Sequence, residues 1–91
     1  IWHPSGLACR ARIPVHSQPP PEEIVYEVEC ILDPEIVVDF DAWLPGHVRD
    51  VLRSPGFVRA ETYRPAEPGA DGKVRRVNRY RVRDRAALDH Y

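Results

Sequence analysis

The segment Asp33–Leu52 constrains this chain more than any other stretch. Asp33 can cap a helix start, and Pro34 suits the first helical position. Ile36, Phe40, Trp43, Leu44, His47 and Val51 then recur at spacings of three and four residues. At about 100° per residue they form one stripe, with His47 near its middle. The spacing therefore predicts a helix that carries an imidazole and an indole on its buried side. Pro45-Gly46 flaws it, because a proline inside a helix removes a hydrogen bond and clashes with the preceding turn, at about 3 kcal/mol. Pro45 points away from the stripe, so residues 34–53 form either one kinked helix or two short ones.

Such a helix needs an apolar sheet to lie on, and its flanks supply strands. Ile24–Leu32 alternates, with Tyr26, Val28 and Cys30 on one side and Val25, Glu27, Glu29 and Ile31 on the other. Ser54-Pro55-Gly56 ends the helix, and Phe57–Arg64 reads as a second strand. Residues 67–73, with Pro68-Gly69 and Asp71-Gly72, read as a hairpin loop. Val74–Arg83 is a third strand, with Asn78, Tyr80 and Val82 opposite Val77, Arg79, Arg81 and Arg83. Asp84 can cap a last helix over Arg85–Tyr91. The order strand, helix, strand, strand, helix is most of a ferredoxin-like α+β unit: an antiparallel sheet with two helices on one face.

Residues 1–23 read as an N-terminal extension to a domain over 24–91. Residues 7–15 alternate weakly, Cys9, Ala11, Ile13 and Val15 against Arg10 and Arg12, and Pro14 restricts such a strand to an edge. Pro19-Pro20-Pro21 is a stiff linker. Cys9 and Cys30 are two thiols, too few for a disulfide framework and without metal-ligand spacing, which predicts a reduced, cytoplasmic protein. No apolar run is long enough for a bilayer, and residues 1–15 lack the core of a secretory signal. A formal net charge of −1 gives no global pull toward nucleic acid or an anionic membrane.

Four short runs carry a family resemblance: Ile24-Val25-Tyr26-Glu27-Val28, Trp43-Leu44 with His47-Val48, Pro55-Gly56-Phe57, and Tyr80-Arg81-Val82-Arg83-Asp84-Arg85-Ala86-Ala87-Leu88. Together they resemble a small bacterial domain-of-unknown-function family with the dimeric α+β barrel fold, similar to the antibiotic-biosynthesis monooxygenases. The resemblance spans about residues 24–91 and implies a fold and a homodimer, but no reaction. Against that family the chain lacks a last strand, the one that lies antiparallel beside the first. Residues 7–15 can fill the slot, which would place Cys9 near Cys30; a strand swapped between protomers, or a missing strand, are the alternatives.

Candidate sites follow from these faces. His47 is a candidate general base, since imidazole titrates near neutrality, with Trp43, Tyr26, Tyr80 and Phe40 lining a ligand pocket around it. Without an acid, base or metal partner in the pattern, a packed histidine and ordinary aromatic core filling are the preferred readings. Glu27 and Glu29 share a face with Arg79, Arg81 and Arg83, so they can pair across neighbouring strands and suit an ion-paired dimer face better than a phosphate track. His3, His16, His47 and His90 are scattered, so no metal and no cofactor is expected, and Asp39, Asp41 and Asp50 read as solvated. The leading function is a homodimeric binding or structural module without catalysis. The second is a cofactor-independent oxygenase-like or isomerase-like enzyme acting on a small aromatic substrate. The third is an RNA-binding module.

Overall fold

Alternation of apolar and polar side chains builds four strands, which the computed structural model, describing residues 2–14 and 23–91, assembles into one antiparallel sheet. The strands are β1 (Leu7–Arg12), β2 (Ile24–Leu32), β3 (Phe57–Tyr63) and β4 (Val74–Val82), in the spatial order β1-β2-β4-β3. Two helices, α1 (Val37–Leu52) and α2 (Arg85–His90), complete a small α+β fold. They pack on the sheet face that carries Tyr26, Cys30, Leu32, Tyr80 and Val82.

The edge strand is shorter than the alternation over 7–15 suggests. Ile13 and Pro14 leave the ladder after Arg12, as a residue without an N–H should. Val15, His16 and the Pro19–Pro21 linker lie outside the described residues.

Helix α1 runs through Pro45 as one helix and not two short ones, with only the bond from position 45 to the Asp41 carbonyl missing. Its start differs from the expected one. Asp33 makes no side-chain cap; Pro34–Ile36 is a 3-10 turn closed by the Ile36 N–H on the Asp33 carbonyl at 3.1 Å, and α1 begins at Val37. The Asp33 carboxylate instead accepts from Lys73 Nζ, a charge-assisted bond that outweighs a neutral cap. The buried arc is also rotated from the expected stripe. Phe40, Leu44 and Val51 are buried, Val37 and Val48 flank them, and His47 is exposed at the opposite edge. The sheet contacts the helix along the Leu44–Val51 line, which turns His47 outward.

Asp84 caps α2, its carboxylate accepting the Ala87 N–H at 2.8 Å. Between α1 and β3, Gly56 has φ +86° and its absent Cβ makes room for the Ala87 methyl. A side chain there would meet both a left-handed backbone and a filled space. That close approach is what brings the C-terminal helix down onto the sheet.

The other face of the sheet is a charge lattice. One transverse row runs Arg12, Glu27, Arg79, Glu61 across β1, β2, β4 and β3, alternating in sign at directly opposite positions. Glu27 accepts from Arg79 Nε at 2.6 Å and Arg12 Nε at 2.8 Å. Glu29 is held by Arg75 at 2.6 Å and Arg10 at 3.3 Å. Arg81 reaches Glu23 at 3.4 Å, and Arg83 turns to its neighbour Asp84 at 3.3 Å. Of the arginines expected opposite Glu27 and Glu29, therefore, only Arg79 pairs with one of them. Arg10, Arg12 and Arg75 supply the remaining bonds.

Candidate functional site

Between α1, the sheet and the chain's last residue lies a cavity of about 200 Å³. The alternation of β2 and β4 points Tyr26, Asn78 and Tyr80 into it from below. Helix α1 supplies Phe40, Trp43 and His47 from above. Tyr91 closes one side, with its ring 4.9 Å from Phe57 and 6.1 Å from Tyr26. The five residues that the sequence places in one pocket thus border one space.

Their roles differ. Phe40 is fully buried and is core. Trp43 and His47, one turn apart, stack with centroids 4.5 Å apart and planes 18° apart. Trp2 adds a third ring, 5.1 Å from Trp43. The exposed imidazole therefore rests on an indole at the rim, not in the core. No acid or metal ligand joins it among the described residues, and no cluster there could hold a metal ion.

The polar groups of the floor are distinctive. Tyr80 is only 2 % exposed and lines the cavity, and its hydroxyl makes none of the side-chain hydrogen bonds found among the described residues. Burial, then the neighbouring Tyr91 and Tyr26, pushes its pKa up to about 12. Burial, then Tyr91, also raises Tyr26. Both phenols therefore stay protonated at neutral pH and can donate. Asn78, equally buried, accepts from Thr62 Oγ1 at 3.0 Å through its side-chain carbonyl, which leaves its amide for the cavity. The floor thus presents donors without acceptors to receive them, and an apolar wall around them.

Asn78, Tyr91 and Trp2 are site residues that sequence reasoning missed. An asparagine in the centre of an apolar strand face was the available signal. Tyr91 and Trp2 reach the site only through tertiary folding.

The matched sulfurs also correct the sequence reading. Cys9 and Cys30, read there as reduced thiols, are joined by a disulfide. Register sets them opposite each other across β1 and β2 with a Cα–Cα distance of 4.1 Å, on the cavity side of the sheet.

Asp41, read as solvated, is a second correction. It holds Arg76 by two bonds, Nε at 3.0 Å and Nη2 at 3.1 Å, with Arg64 at 3.5 Å. Arg76, nearly buried on the helix-covered face, needs that carboxylate to ionise without loss. The adjoining groove of about 350 Å³ beside Pro45 is lined by this already satisfied pair.

Residues 23–91 match the family described as Domain of unknown function (DUF4286). The chain belongs to this family. No curated protein and no solved structure matches it. The DUF4286 segment contributes the cavity's floor, roof and Tyr91, whereas Leu7 and Cys9 reach the cavity from β1, outside the matched residues. No helix of the described residues is long and apolar enough to cross a membrane.

Proposed function

We propose that this chain is a small-molecule binding module without catalysis, whose cavity takes a single-ring aromatic molecule bearing a hydrogen-bond acceptor. The observation that carries the reading is the Tyr80 side chain, which lines the cavity and whose hydroxyl bonds to no described residue, beside the Asn78 amide. A ligand acceptor that meets this donor gains a hydrogen bond of about 0.5–1.5 kcal/mol net. The volume supports a small guest, since an apolar cavity of about 150 Å³ can hold benzene. Binding is favoured over the enzyme reading because His47 has a stacking partner, Trp43, and, among the described residues, no hydrogen-bonded acid or base to tune it.

The strand order and antiparallel pairing support a ferredoxin-like arrangement in which β1 takes the place of a last strand, and a relationship to the dimeric α+β barrels. We read the homodimer interface as the charge-lattice face. Arg59 and Arg81 stand directly opposite each other on β3 and β4, a like-charge pair that a partner copy's carboxylates would relieve. Arg12, Arg75 and Arg79 are already bound to carboxylates, which argues against their use as a phosphate track.

The test is titration of the full chain with phenol and benzoate, followed by the emission of Trp2 and Trp43. Saturable binding that weakens about tenfold in Tyr80→Phe, and survives in His47→Ala, is the expected result. Equal affinity in Tyr80→Phe, or no saturable binding by the native chain, overturns the reading.

A further inference from the structure

The Cys9–Cys30 disulfide takes no part in ligand contacts as argued above, yet both residues line the cavity. We propose that this bond is a reversible redox site, cleaved by a dithiol reductant through attack on Cys9, and that it latches β1 over the cavity. The effect on the cavity rests on the binding reading; the redox step and the release of β1 do not.

Access decides which sulfur reacts. Cys9 is exposed on the edge strand, whereas Cys30 is 4 % exposed in the core cluster with Leu32, Phe40 and Leu44. Thiol–disulfide exchange needs a thiolate to reach a sulfur and passes through a mixed disulfide. The incoming thiolate bonds to Cys9 Sγ, and the electron pair of the broken S–S bond leaves on Cys30, which takes a proton. The second thiolate of the reductant then attacks its own sulfur in the mixed disulfide and frees Cys9, which is protonated in turn. The dithiol is oxidised to a disulfide, and the two cysteines are reduced with two electrons and two protons.

Among the described residues, β1 is otherwise held by its ladder to β2, and few of its side chains are buried. Leu7 packs on the core cluster, but Ala8 to Arg12 are exposed. The Arg10 and Arg12 side chains are 80 % and 63 % exposed, against 16 % and 5 % for their partners Glu29 and Glu27, so water screens these pairs from the arginine side only. An edge strand held by ladder bonds and screened ion pairs belongs to the low-stability end of a fold. With the disulfide opened, β1 can detach while the core clusters under α1 and α2 persist. Detachment withdraws Leu7 and Cys9 from the cavity wall. It also separates Trp2, just ahead of β1, from Trp43.

The experiment compares the oxidised full chain with the chain reduced by dithiothreitol, without denaturant. Trypsin cleavage after Arg10 and Arg12 reports β1, tryptophan emission reports the Trp2–Trp43 contact, and far-ultraviolet circular dichroism reports the remaining fold. Cleavage at least tenfold faster on reduction, with altered emission, retained dichroism and reversal on reoxidation, is expected. The Cys9→Ser/Cys30→Ser double variant should be cut rapidly in either redox condition. Oxidised glutathione should modify Cys9 in Cys30→Ser and leave Cys30 unmodified in Cys9→Ser. A disulfide that survives excess dithiothreitol, reduction without faster cleavage, loss of the whole fold on reduction, or preferential modification of Cys30 overturns the proposal. None of these readouts uses a ligand, so failure of Tyr80→Phe to weaken phenol binding is a separate result.

Discussion

Glu27 and Arg79 stand directly opposite each other on β2 and β4, and the Arg79 Nε–H meets the Glu27 carboxylate at 2.6 Å on a side chain only 5 % exposed. Arg12 closes the other side of that carboxylate at 2.8 Å. The pair is the centre of the charge lattice and the best-shielded charge on that face. Glu27→Gln leaves two arginines sharing a neutral acceptor. Because both arginines reach solvent, we expect a loss of about 1–2 kcal/mol, well short of a fully buried pair. Urea unfolding checks it, and a change under about 0.3 kcal/mol would show that the row contributes no net stability.

Acid should loosen this fold from its carboxylates. Burial raises the Glu27 pKa, but hydrogen bonds from Arg79 and Arg12 outweigh it and hold the group below its usual range. The Arg75 hydrogen bond lowers Glu29, and the Arg76 hydrogen bond lowers Asp41. A group with a depressed folded pKa stabilises above its unfolded value and loses that contribution as pH falls through the folded one. Stability should therefore hold down to about pH 4–5 and decline below it. Glu27→Gln should flatten that decline, as measured by urea midpoints across the acid range.

Base should act through the tyrosines. The Tyr80 pKa of about 12 lies above the ordinary value near 10, and Tyr26 is raised as well. Between these pH values the unfolded chain releases a proton that the folded chain keeps, so stability falls as pH rises through that window. Tyr80→Phe should weaken the dependence and leave neutral-pH stability nearly unchanged, since the hydroxyl has no partner among the described residues. A large loss at pH 7 would contradict an unpaired hydroxyl.

Helix α1 offers a paired test of its phase. Phe40→Ala should cost about 3–5 kcal/mol, because the ring is fully buried. Val38→Ala should stay within about 0.5 kcal/mol, because Val38 is 80 % exposed. Comparable costs would place the buried arc elsewhere on the helix.

Pro45 and Gly46 stand in α1 without a visible structural demand. An alanine Cβ at Gly46 meets only an Arg49 guanidinium nitrogen at 3.8 Å, so Gly46→Ala should stabilise by about 0.5–1 kcal/mol. Pro45→Ala restores a donor for the Asp41 carbonyl and should add about 1–2 kcal/mol. Thermal unfolding measures both, and destabilisation by either would mean that the Pro-Gly step supports a packing need.

Much of the architecture was legible because it rests on local rules. Alternation over 24–32 and 74–82, the apolar spacing of 37–52, the Ser54-Pro55-Gly56 break and the Asp84 cap each depend on a few neighbouring residues. The same alternation put Tyr26 and Tyr80 on the helix side and Glu27 and Arg79 on the other. Residue spacing along one helix could not do as much for His47. Its burial depends on where the sheet surface meets the helix, and that line runs through Leu44 and Val51.

What the tertiary structure alone decided depends on strands distant in sequence becoming neighbours. The sequence placed Cys9 near Cys30 as one of several arrangements, but the bond between these residues, 21 apart, forms because β1 and β2 adopt one register among several that alternation allows. Arg76 draws Asp41 from the solvent side of α1 because a nearly buried guanidinium must be neutralised. The cavity exists because side chains from β1, β2, β4, α1 and the Tyr91 ring meet around one space, and Trp2 stacks on Trp43 beside it. Periodicity assigns side chains to faces; only the meeting of faces determines which of them touch, which pair, and where a space is left between them.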